Sequence, residues 1–341
     1  MCHAQDQSPD RDGGVARHFS LLTGWGRSYP ETTGYIIPTL LAQAAHWPAL
    51  SLEARARRML DWLVAIQFPE GGFQGGVIGS EPKVPVTFNT GQILLGLAAG
   101  AEAFGPPYDS AMAKAADWLM ATQDDDGCWR RHPTPFAKPG EKTYETHVAW
   151  GLLEAARVGE NRQWLEAALR QVDWALGHQH ANGWMASCCL SDNRRPLTHT
   201  LGYALRGIVE AWRHSGEARY LEAGRRLADG LLTALGPDGH LPGRLDRRWR
   251  PAVPWSCLTG QVQIAWCWLA LYQATDEGRY RDAGLAANRF VRRTLQTGGS
   301  PDVVGGVKGA FPVDGDYGTY EYLNWAAKFL VDANQLETDV G

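Results

Sequence analysis

The stretch Asp61-Trp62-Leu63, leading to Gln67 and then Gly71-Gly72-Phe73, decides how this chain reads, because it recurs. It returns as Asp117-Trp118-Leu119, Gln123 and Gly127-Cys128-Trp129, and again as Asp173-Trp174-Ala175, Gln179 and Gly183-Trp184. A worn fourth copy runs through Asp229, Leu231, Leu235 and Gly239, and the four aspartates stand 56 residues apart each time. A fifth copy closes at Gln296 with Gly305-Gly306, and Gln5 with Gly13-Gly14 reads as the tail of a further one. A fixed period of this size marks a repeat architecture.

Each unit holds two helical stretches. The first is amphipathic, with apolar residues at three- and four-residue intervals and Arg or Glu between them: 51–67, 109–123, 161–179, 218–235 and 279–296. The second is apolar nearly all round and must be buried: 33–45, 90–104, 146–158, 200–212, 259–274 and 320–333. Pro38 should mark the first turn of its helix or a kink. The expected fold is all-α, an (α/α)6 toroid forming a single domain over residues 1–341. Its six inner and five outer helices leave it incomplete at the N-terminus, through truncation or an open ring.

The 341 residues carry 15 Trp against 9 Phe, six Cys and a net charge of −4, which excludes a polyanion binder held by bulk charge and so nucleic acid. No apolar run is long enough to span a bilayer, and Met1 to Asp12 is polar, so a cytoplasmic protein is expected. The cysteines (2, 128, 188, 189, 257 and 267) form no metal-type spacing and read as free thiols, with zinc or any other metal not expected. No nucleotide-binding glycine motif is present, and no cofactor is expected.

The connections locate the candidate site. Inner-to-outer links are short, whereas outer-to-inner links run to roughly 20 residues and fall where the inner helices begin. A Thr recurs there (33, 90, 146, 200 and 259) as an expected helix cap, while the residue before it varies. That variety suits a ring of functional groups. Glu145, Glu321, Asp314 and Asp316 are the candidate acids and bases, with His199 and Tyr320 assisting. Glu31, Asn89, Tyr144, His147, Tyr203 and Tyr317 are candidate substrate contacts, and Arg244 is expected to hold an anionic group. Trp129, Trp184 and Trp255 are the expected sugar platform, whereas Trp62, Trp118 and Trp174 read as packing.

Two resemblances follow from these blocks. Gln67 to Phe73, Thr122 to Trp129 and His178 to Trp184 resemble the Gln/Gly/Trp repeats of the terpenoid cyclase and protein prenyltransferase toroid superfamily. Residues 123–126 read Gln-Asp-Asp-Asp, which departs from that superfamily's triterpene-cyclase acid motif Asp-x-Asp-Asp. Residues 28–35, 196–200, 255–261 and 315–325 are similar to toroid proteins of bacterial polysaccharide gene clusters, which implies a glycan-related role. The resulting expectation is a carbohydrate-active enzyme acting on an anionic oligo- or polysaccharide, with hydrolysis ahead of lyase or epimerase chemistry. An isoprenoid-processing toroid and a non-catalytic glycan-binding protein are the alternatives.

Overall fold

The computed structural model describes residues 1–138 and 140–341. They divide into two compact units, one of Met1–Phe19, Thr23–Glu141 and His147–Trp174, the other of Ser20–Leu22, Lys142–Thr146 and Ala175–Gly341.

In the first unit, α1 (Cys2–Asp6) is followed by α2 (Pro30–Gln43), α3 (Leu52–Ile66), α4 (Thr87–Phe104), α5 (Tyr108–Thr122), α6 (Thr146–Val158, from His147 on) and α7 (Arg162–Leu176, to Trp174). The second unit carries α8 (Thr198–Ser215), α9 (Ala218–Leu232), α10 (Leu258–Thr275), α11 (Gly278–Arg293) and α12 (Asn324–Val340). The two predicted helix types are both present. In α10 every residue from Leu258 to Leu271 is buried, while α9 buries one face, Tyr220, Ala223, Gly224, Leu227, Ala228, Gly230 and Leu231. Pro38 lies well inside α2, not in its first turn, which Pro30 occupies.

Glycine sets how closely the buried helices approach. A Cβ on Gly96 would strike the Gly34 carbonyl, and one on Gly151 would strike that of Gly91, so α2, α4 and α6 meet backbone to backbone.

The repeated glutamine has a structural job. Gln67 Nε2 donates to Gly71 O at 2.9 Å and to Ala111 O at 3.0 Å. Gln123 does the same to Gly127 O and Ala167 O, and Gln5 to Gly13 O and Arg55 O. Each clip ties the loop after one outer helix to the backbone of the next. The glycine beside it needs a positive φ (Gly71 +109°, Gly127 +94°, Gly183 +83°) and lies against that next helix, Gly183 on Arg226 O. In the worn fourth copy, Leu235 replaces the glutamine. Gln261, from the buried helix α10, supplies the bonds instead, to Gly239 O at 2.7 Å and Ala287 O at 3.2 Å.

The recurring threonines are not N-caps, a correction to the expectation. No side-chain cap bond forms at the starts of α2, α4, α8 or α10. Thr33 and Thr90 lie inside the first turn, donate back to Tyr29 O and Val86 O, and accept the backbone N–H of Val15 and Phe73. They pin the preceding loop to the helix. The last inner helix is also displaced from its expected start: it begins at Asn324, and Glu321–Leu323 is a short strand.

Candidate functional site

In the second unit the segment Lys142–Glu145 enters α6 through a 3-10 turn over Thr143–Glu145, packed on α8. Thr146 Oγ1 donates to Ala204 O at 3.1 Å, which fixes this turn against the α8 backbone. Glu145 is buried, and its Oε2 has no hydrogen-bond partner among the described residues. Burial raises its pKa to about 8, against the opposing pull of Lys142, so the carboxyl is protonated at neutral pH.

His199 lies at the start of α8 with the opposite bias. Burial lowers its pKa to about 4, with Gln263 pulling the other way, so the ring is neutral. His199 Nδ1 is 2.8 Å from Gln263 Oε1, on α10. A carbonyl oxygen only accepts, so Nδ1 carries the proton and Nε2 keeps its lone pair. Two glycines permit this pairing: Gly260 packs on the His199 backbone, and a Cβ on Gly202 would lie 3.0 Å from Gln263 Cβ. Tyr203 and Tyr317 wall the ring at centroid distances of 4.3 and 5.3 Å, and the Tyr317 hydroxyl accepts from Trp325 Nε1 at 3.0 Å. Buried Tyr144 adjoins Glu145 in the chain.

Also in this unit, Arg244 donates to Arg195 O at 2.9 Å and lies 3.9 Å from Cys189 Sγ. Burial alone would raise the Cys189 pKa. The backbone N–H groups of Ser191, Asp192 and Leu197, together with Arg244, hold it below the ordinary thiol value.

The first unit holds a separate carboxyl network. Glu31 accepts the Tyr29 hydroxyl at 2.5 Å and Asn89 Nδ2 at 2.9 Å on the same oxygen. Burial raises its pKa to about 7, while the Tyr29 bond opposes this. His147, fully buried, has Nδ1 2.6 Å from Gln92 Oε1.

Several expected residues are placed elsewhere. Asp314, Asp316 and Tyr320 are exposed on the segment before the last strand, and Glu321 lies in that strand, not at a helix start. The expected sugar platform is buried in packing: Trp129 donates to Leu119 O, Trp184 packs edge-on to Trp249, and Trp255 lies among Cys189, Leu197, Cys257 and Ala310. Lys142, Gln263 and Gln92 were not singled out from sequence. The histidine–glutamine and Glu31–Asn89 partners lie 55 to 64 residues apart, about one repeat, which is the signal that could have found them. All six cysteines are free, and among the described residues no helix is long and apolar enough to cross a membrane.

Amphipathic and buried helices alternating at a 56-residue period define the class, an all-α toroid fold. The model of the squalene-hopene cyclase C-terminal domain matches residues 29–206, and the chain belongs to that family. It is 26% identical over 186 residues to copalyl diphosphate synthase of Streptomyces cyslabdanicus, a match over 53% of this chain and only 33% of that protein's length. Among solved structures, an unsaturated glucuronyl hydrolase from Bacillus sp. GL1 is similar at a TM-score of 0.77 and 14% identity, over 99% of this chain and 95% of that one. A cellobiose 2-epimerase from Bacillus thermoamylovorans is similar at 0.74 and 11%, over 97% and 95%. These likenesses establish the fold across the whole chain.

Proposed function

We propose that this protein is a carbohydrate-active enzyme of the hydrolase kind, working by general acid–base catalysis in its second unit. Glu145 is the acid and His199 the base. One observation carries the reading: on two elements packed together, burial moves a carboxyl up to about 8 and an imidazole down to about 4. At neutral pH the site then holds a ready proton and a ready lone pair, the division of labour that acid–base enzymes obtain from environment. Glu145 would protonate the departing glycosidic oxygen as its bond to the anomeric carbon breaks, and His199 Nε2 would take the proton from the water that attacks that carbon. The toroids that share this fold under hydrolase and epimerase names support a sugar as substrate.

The isoprenoid alternative has less support. Asp124 and Asp126 are bound by Arg130 at 3.1 and 2.7 Å, and the Arg130 bond holds Asp126 down near 2, ionised and unable to donate a proton. The test is turnover of glycans, screened as a panel with product analysis, by wild type, Glu145→Gln and His199→Gln. Loss of turnover in both variants supports the reading; full turnover by Glu145→Gln sinks it. Release of a new reducing end marks hydrolysis, whereas an unchanged chain length with an altered sugar replaces hydrolysis by epimerisation.

A further inference from the structure

Among the described residues two lysines are buried, and they differ in their partners. Lys328 has Asp332 at 2.6 Å. Lys142, 6% exposed, makes no side-chain hydrogen bond and has no carboxylate within ion-pair distance among the described residues. Among the described residues Arg244 likewise bonds only to the Arg195 carbonyl, Ser191 Oγ and Cys189 Sγ, with no carboxylate partner. Nearby Asp192 is taken by Arg195 at 2.9 Å. The buried, unpartnered Glu145 Oε2 stands three residues from Lys142, and the Lys142 charge acts on both Glu145 and Cys189. Cys189 in turn lies 3.9 Å from Arg244, so Lys142 is linked electrostatically to Glu145 and to the thiol that Arg244 contacts, all inside the second unit.

The Lys142 stem is buried but its Nζ is not sealed from solvent, so an arriving anion gains a charge-assisted bond and displaces no carboxylate of this chain. We propose that Lys142 and Arg244 form a subsite for an anionic group carried by the sugar, placing that sugar against Glu145. This rests on the proposed function for the sugar, and on the two unpaired cations for the anion. The shared chemistry is a singly or doubly charged oxyanion, either a carboxylate as in a uronic acid or a phosphate ester.

Calorimetric titration of the whole protein with glucuronate, glucose 6-phosphate and glucose tests it. The wild type should bind one or both anionic sugars at least about tenfold more tightly than glucose, because only an anion gives Lys142 and Arg244 a charge-assisted partner. Preference between the two anions identifies the source. Lys142→Met should lose that preference and Lys142→Arg should keep it. With no ligand, Lys142→Met should melt close to wild type, since it keeps the buried stem and removes a cation with no ion-pair partner, so lost binding is not lost folding. Equal binding of glucose, absence of binding by either anion, or undiminished preference in Lys142→Met overturns the proposal. Glu145 turnover is a separate readout: an inactive Glu145→Gln alongside an unchanged Lys142→Met leaves the enzyme reading standing and removes the subsite, and the reverse pattern does the opposite.

Discussion

Glu31 in the first unit and Glu145 in the second stand at the starts of buried helices and are both raised by burial, yet they are built differently. Glu31 is surrounded: one oxygen takes the hydroxyl of Tyr29 and the amide of Asn89. Glu145 keeps an oxygen with nothing to bond. A buried carboxyl whose hydrogen bonds are filled by its own chain is a piece of structure, whereas one left open can be completed by something that binds. The two histidines repeat the lesson. Both hold a glutamine through Nδ1, but His147 is fully buried while His199 keeps 6% exposure beside two tyrosines.

The comparison breaks first on turnover. Glu145→Gln should lose about 10²- to 10⁴-fold in kcat, the usual contribution of a positioned acid, and Glu31→Gln less than about tenfold. Equal losses would mean the open oxygen does not distinguish them. Next comes the pH profile. Activity requires Glu145 protonated and His199 neutral, so kcat/KM should fall above about pH 8 and below about pH 4. Gln263→Glu places a negative charge on Nδ1 and should move the acid limb upward. An unmoved limb would remove His199 as the base.

The packing predictions are smaller. Gly183→Ala should cost more than about 1 kcal/mol, because its φ of +83° and its contact with Arg226 O both resist a Cβ. Gln261→Ala should cost about 1–3 kcal/mol by leaving the Gly239 and Ala287 carbonyls short of a donor, measurable by urea unfolding. The acid itself has a stability effect that depends on pH. The folded pKa of Glu145 lies above its ordinary value of 4.5, so its contribution is full below about pH 4.5 and is lost as pH rises through about 8. Glu145→Gln should therefore unfold at a higher temperature than wild type at pH 9, while its activity is absent.

The repeat was legible because its glycines and glutamines answer to local demands, a positive φ and a clip to the next helix, that recur at 56 residues. Glu145 and His199 were legible because they interrupt a repeated position with groups no helix start requires. The tryptophans misled: Trp129 and Trp184 stand on long loops, but those loops fold back and bury them. Asp314 and Asp316 misled by density, since acids gathered on one exposed segment need no partner. Lys142 escaped notice because only burial makes a lysine unusual, and burial belongs to the packed chain.

The substituted clip of the fourth copy has a mechanical side. Gln261 fastens the loop that carries Arg244, and two residues further along the same helix Gln263 holds His199. Any opening that frees residues 236–256 must pull on the helix that orients the imidazole. Amide exchange in that loop and the protonation of His199 should therefore rise and fall together, giving this stretch a shared tempo that the glutamine-ended copies, clipped from their outer helices, do not impose on their own loops.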